Sequence, residues 1–106
     1  MFSLFKRNNS ESIFVNDIDH LIGKINLVDI REPQEVKLGT IKTAKNIPMG
    51  DLLSHPSHYL KKEETYYLMC QSGMRSARTV AELKKLGYQV INVKDGFGTY
   101  SGKFRQ

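Results

Sequence analysis

Cysteine is almost missing from this chain: its 106 residues include one, Cys70. A single thiol excludes an internal disulfide, so the fold has to hold by burial, and a reducing, cytoplasmic compartment is the expected setting. Long apolar runs are missing too. The run from Ile25 to Ile30 is broken within a few residues, far short of the roughly 20 that a membrane-crossing helix needs, and no membrane association is expected. Met1-Phe2-Ser3-Leu4-Phe5-Lys6-Arg7 places apolar residues before the charges, the wrong order and length for a secretory signal. Residues 1–10 are therefore expected to form a loose tail, with contact to a membrane surface as the alternative, and residues 11–106 one folded domain. Blocks of like charge are also lacking. The net charge of +5 is spread over single or paired basic residues such as Lys61-Lys62 and Lys84-Lys85, without aromatic interleaving, so no nucleic acid is expected and small anions suit the surface as well. His20, His55 and His58 have no partner at metal-ligand spacing with the cysteine, so neither a metal nor a cofactor is expected. There is no internal repeat and no low-complexity segment.

What is present is an alternation. Apolar, β-prone runs at Ser12–Val15, Ile25–Asp29, Ala44–Ile47, Tyr66–Cys70 and Val90–Val93 are separated by helical stretches, which argues for an α/β domain with a mainly parallel sheet. Leu27-Val28 and Tyr67-Leu68-Met69 are continuously apolar, as strands buried on both faces are, and Tyr66 and Tyr67 are expected in the core. Asn16-Asp17-Ile18-Asp19 reads as a cap and first turn. A helix should open at Pro33, where Glu32 and Glu35 favour its positive end and Gly39 follows as a stop. The segment from Met49 to Lys62 should hold short helical turns around Pro56. The clearest helix is expected over Ser76–Leu86, with Ala77, Val80, Ala81, Leu83 and Leu86 inward, ended by Gly87 with Tyr88 folding back. A chain of this length can bury roughly two-thirds of its unfolded surface, enough for one core.

Cys70 closes an apolar strand, and Gln71-Ser72-Gly73-Met74-Arg75 turns into the strong helix. In an open parallel sheet, ligands bind beyond the carboxyl ends of the strands, where helix N-termini aim unpaired N–H groups outward. A loop curled around the sulfur would converge several N–H groups on it, with Gly73 allowing the backbone angles. Such a cradle favours the thiolate, the nucleophilic form, and Cys70 is expected to be accessible and unusually acidic. Arg75 adds a positive fork suited to a tetrahedral oxyanion. A lone cysteine is often a small buried hydrophobe, but that role needs no Ser-Gly turn, arginine and helix start directly after it. Asp29 and Arg31 can be read as ligand-binding groups, but an aspartate at a strand end before a helix is more often a cap or loop anchor, so they are assigned a supporting role.

Cys70-Gln71-Ser72-Gly73-Met74-Arg75-Ser76 resembles the active-site loop of the rhodanese-like sulfurtransferases. Leu27-Val28-Asp29-Ile30-Arg31-Glu32 resembles the family's Asp-x-Arg-Glu signature. Further blocks match at Gly39-Thr40-Ile41 through Pro48, at Leu86-Gly87-Tyr88 and at Asp95-Gly96-Phe97, so the resemblance spans roughly residues 12–100 in the family's order. It implies a five-stranded parallel sheet with helices on both faces. It also implies that Cys70 takes sulfane sulfur as a persulfide from a small anionic donor such as thiosulfate, or from a persulfide, and passes it to a thiol, a cyanide-like acceptor or an acceptor protein. The loop Gln71–Ser76 would hold the persulfide. A docking or sulfur-relay module with little small-molecule turnover is the alternative. A phosphatase or arsenate reductase is disfavoured, because only four residues separate Cys70 from Arg75, one fewer than in phosphatases of this fold. Thr40, Lys42 and Thr43 stand where many relatives carry His, Pro and Gly; Asp95 replaces a common glycine and Tyr100 a common tryptophan.

Overall fold

The computed structural model describes residues 12–106; the tail expected over residues 1–10 lies outside them. Strands β1 (Ser12–Phe14), β2 (Asn26–Asp29), β3 (Lys45–Asn46), β4 (Thr65–Met69) and β5 (Gln89–Lys94) form one sheet in the order β1-β5-β4-β2-β3. Every pairing is parallel. Parallel neighbours cannot be joined by a tight turn, and the crossovers carry α1 (Pro33–Val36), α2 (Met49–Ser54), α3 (Pro56–Tyr59) and α4 (Met74–Lys85). Short 3-10 turns cover Val15–Asp17, Asp19–Leu21 and Phe97–Thr99. No helix among the described residues is long and apolar enough to cross a membrane.

Successive side chains of a strand point to opposite faces, and this divides the core. Tyr66, Leu68 and Cys70 join Val28, Ile30 and Val90 under α2, α3 and α4, which contribute Leu52, the half-buried Tyr59, and Val80 with Leu83. Tyr67 and Met69 face the other way, with Leu27 and Val93, and are closed over by Val15, Ile18, Phe97 and Tyr100 from the 3-10 turns and their flanks. Both faces are thus covered, which is why these strands read as continuous apolar runs. The strands fall where the alternation puts them, although β3 shortens to two residues and β4 stops at Met69, leaving Cys70 in the loop.

The main helix departs from its sequence reading. It starts at Met74 rather than Ser76, because Gly73 adopts a left-handed φ of 93° and turns the chain into the helix. Its inward face is Ser76, Thr79, Val80 and Leu83, whereas Ala77, Ala81 and Leu86 face solvent. The buried positions still follow the i, i+3, i+4, i+7 spacing of one helix face. Two of them are hydroxyl residues whose polar atoms are satisfied: Ser76 Oγ donates to Asn92 Oδ1 and Thr79 Oγ1 to the Arg75 carbonyl. Tyr88 does fold back, donating its N–H to the Leu83 carbonyl.

Thr43 and Asp95, two positions where the resemblance leads one to expect glycine, both have positive φ, 72° and 69°. A β-branched residue is poorly suited to that region. The exposed Thr43 side chain gives up little if removed. The left-handed conformation costs an L-residue about 1–2 kcal/mol, and glycine's freedom in the unfolded chain takes back about 0.5–1 kcal/mol. Thr43→Gly should therefore raise the unfolding free energy by about 0.5–1 kcal/mol, measured by urea denaturation; a loss of stability would show that the threonine is not strained.

Candidate active site

The loop after β4 wraps the cysteine sulfur. Cys70 Sγ accepts the Gly73 N–H at 3.1 Å and the Ser76 N–H at 3.3 Å, and Ser76 Oγ lies 3.4 Å away. These donors belong to the first turn of α4, where amides have no intrahelical acceptor and the helix dipole is positive. Burial alone pushes the Cys70 thiol up. The Ser76 hydroxyl and the Ser76, Gly73 and Ser72 amides outweigh it and hold the thiol below its ordinary value. Ser76 Oγ is also 2.5 Å from Asn92 Oδ1. A hydroxyl has one proton and two lone pairs, so Ser76 can donate to Asn92 while accepting the Cys70 S–H, then turn its proton to the sulfur once the thiolate forms.

The sulfur is not accessible, contrary to the sequence expectation: Cys70 is 0% exposed. The side chain lies in the core cluster on the α2–α4 face, with Ile30, Leu52 and Val80, while the segment after β5 straps its loop backbone to backbone. Phe97 N–H donates to the Cys70 carbonyl at 2.8 Å and Gly98 N–H to the Gln71 carbonyl at 2.9 Å. Gly96 has φ of 67°, and a Cβ there would lie 2.5 Å from the Cys70 carbonyl oxygen, so this close approach requires glycine. A cleft of about 510 Å³ lies instead at the N-terminal ends of β2, β3 and β4, lined by Ile25, Lys45, His58, Tyr59 and Glu64. Cavity size and chemistry are at opposite ends of the sheet, and the sulfur cradle is the better marker of function because it alone brings together nucleophile and donors.

Asp29 and Arg31 form a buried pair, 0% and 2% exposed. Asp29 Oδ2 accepts Arg31 Nη2 at 2.7 Å and Thr40 Oγ1 at 2.8 Å, and Oδ1 accepts the Arg31 N–H and Nε–H. Arg31 also reaches Gln71 Oε1 and the Gly39 carbonyl, and lies over the Phe97 ring. The pair anchors the site loops and does not present a free charge.

Arg75 does not offer its fork to the site either. Both its Nη atoms donate to Glu35, at 2.9 Å to each oxygen, which corrects the picture of an open oxyanion clamp. Glu35 lies three residues past Glu32 on α1 and accepts the Glu32 N–H at 3.0 Å. The Arg75 guanidinium, against a smaller penalty from burial, holds its carboxyl down from 4.5 to about 2.

A model of the rhodanese-like domain matches residues 15–103. The chain belongs to the rhodanese-like domain family. Bacillus subtilis YqhL, an uncharacterized protein, is 36% identical over 83 residues, covering 77% of this chain and 65% of YqhL. Bacillus subtilis YtwF, provisionally named a sulfurtransferase, is 36% identical over 77 residues, covering 73% of this chain and 74% of YtwF. The crystal structure of SSP1007 from Staphylococcus saprophyticus superposes with a TM-score of 0.78 at 35% identity, covering 86% of this chain and 93% of that one.

Within the rhodanese loop, Cys70, Gly73 and Ser76 converge, Gln71 joins the Arg31 network, and Ser72 and Met74 are exposed. Sequence reasoning missed Glu35, Asn92 and the Gly96–Gly98 strap. Asn92 left a signal, a polar residue between the apolar Ile91 and Val93. Glu35 left one as well, three residues beyond Glu32 at a helix start.

Two measurements test these assignments. With a depressed thiol, the pH profile of iodoacetamide alkylation of the native protein should have its midpoint below that of the urea-unfolded chain, and Ser76→Ala should move it back up. A native midpoint at or above the unfolded one would rule out the amide cradle. Asp29→Ala leaves Arg31 buried without its carboxylate and should cost about 3–5 kcal/mol in urea denaturation; a cost under about 1 kcal/mol, typical of surface pairs, would contradict the anchoring role.

Proposed function

We propose that this rhodanese-like domain, acting as one unit over residues 11–106, is a sulfurtransferase that carries sulfane sulfur as a persulfide on Cys70. The observation that supports the reading best is the convergence of the Gly73 and Ser76 N–H groups on Cys70 Sγ at the start of α4. Those donors favour a negative sulfur, and in charging they do so twice. The Cys70 thiolate attacks the outer sulfur of the donor, the donor's S–S bond breaks, and its electron pair leaves with sulfite from thiosulfate or with a thiolate from a hydropersulfide. The product is an anionic persulfide that the loop Gln71–Ser76 can hold with the same backbone amides. Fixed donors of this kind need no reorganisation when the charge develops. A thiol, a cyanide-like acceptor or an acceptor protein then takes the outer sulfur and restores the Cys70 thiolate. The compartment that fits a free catalytic thiol is a reducing cytoplasm.

Intact-mass measurement without reductant tests the reading. After excess thiosulfate or, separately, cysteine persulfide, the wild-type chain should gain one sulfur atom and Cys70→Ser none. A wild-type chain unchanged by both donors, or a gain that survives Cys70→Ser, would overturn it.

A further inference from the structure

Two guanidinium groups stand beside the Cys70 loop, and each is engaged by a carboxylate. Arg31 is held by Asp29 inside the protein. Arg75 is held by Glu35 at the surface, where the two side chains remain 35% and 32% exposed and a donor can reach them. The second pair is unusually well organised for a surface contact. Both oxygens of Glu35 are used, Oε1 accepting Arg75 Nη1 together with the Glu32 N–H, and Oε2 accepting Arg75 Nη2. The bidentate geometry is the one a carboxylate and a guanidinium prefer, and it is also the geometry by which arginine would grip a sulfonate or sulfate edge. One ligand excludes the other. Glu35 stays ionised at any pH near neutrality, since its carboxyl is held at about 2, so it competes for the fork throughout. With both arginines balanced by carboxylates, what remains for a donor is the set of loop amides, which suits a compact terminal sulfur better than a dianion.

We propose that Glu35 is the specificity-determining positioning residue of this site: by occupying both arms of Arg75, it withholds the guanidinium fork from dianionic donors such as thiosulfate and tilts the site toward sulfane sulfur carried on a thiol. The assignment rests on the persulfide reading above. For a hydropersulfide donor, the Cys70 thiolate attacks the outer sulfur, the donor S–S bond breaks, and the thiolate of the donor leaves; charge and atoms balance with no further oxidant or reductant. For thiosulfate, the same attack expels sulfite, and three negative charges must gather in the encounter, two on the donor and one on Cys70, while a carboxylate already holds the Arg75 fork.

The experiment follows Cys70 persulfide formation by rapid quench and intact mass against concentration of thiosulfate and of cysteine persulfide, in the wild type, Glu35→Gln and the double variant Glu35→Gln with Arg75→Ala. In Glu35→Gln the selectivity ratio, thiosulfate over cysteine persulfide, should rise on the order of tenfold, the scale of one charge-assisted hydrogen bond. The rise should come through a lower half-saturating thiosulfate concentration, which a general loosening of the loop would not produce, and it should vanish in the double variant. A wild type that charges with both donors and keeps its ratio in Glu35→Gln overturns the assignment alone, as does a gain that survives loss of Arg75. A wild type that takes sulfur from neither donor overturns the persulfide reading and the assignment with it.

Discussion

The buried Asp29–Arg31 pair is the contact on which the functional end of the sheet depends. Removing two charges from water is costly unless every polar atom finds a partner, and here each does: among the described residues no buried side-chain nitrogen or oxygen lacks one. The partners are spread along the chain. Thr40 donates to Asp29 Oδ2, the Gly39 carbonyl and Gln71 Oε1 accept from Arg31, and Thr40 exchanges backbone hydrogen bonds with Gln106. One ion pair therefore ties the end of β2 to the turn before β3, to the cysteine loop and to the last residue of the chain. Its value lies in registering those segments, since a well-packed apolar replacement often serves stability as well as a buried pair does.

Because both arginines near the loop are committed to carboxylates, the groups that favour a negative sulfur are the Ser76 hydroxyl and the backbone amides of the loop. Amides at the start of α4 do not titrate and are held by the helix itself. The strap over Gly96–Gly98 keeps the loop closed against them. Cys70 itself lies in the core cluster on the α4 side of the sheet, with Val80 and Leu83, so the helix that supplies donors to the sulfur also helps to bury it.

What could be read from the residues was what is local. The strands and the cysteine at a strand end express short-range preferences and lie where those preferences put them, and the helix after Gly73 is there too, though it opens two residues early. What could not be read was set by contacts between distant segments. The helix α4 buries Ser76 and Thr79 because Asn92, across the sheet, and the helix's own carbonyls satisfy them; taken alone, two hydroxyls look solvent-facing. Arg75 looks free until Glu35 arrives from another crossover. Cys70 looks exposed until Leu52 from α2 and Val80 from α4 join its cluster.

Strand order carries a consequence for how the molecule is made. β1 is the earliest described strand to leave the ribosome, yet its partner is β5, with Ser12 set against Asn92. Asn16 accepts from the Ser101 N–H, and Asp19 accepts from Tyr100 Oη. The opening of the nascent domain thus has nothing to pair with until its closing segment emerges. The β2–β4 pair can form earlier, and the delayed docking of β1 raises the contact order in the way that slows folding. An unpaired strand edge exposed during that wait is a hazard for intermolecular pairing, and among the described residues the waiting edge of β1 is short, Ser12–Phe14.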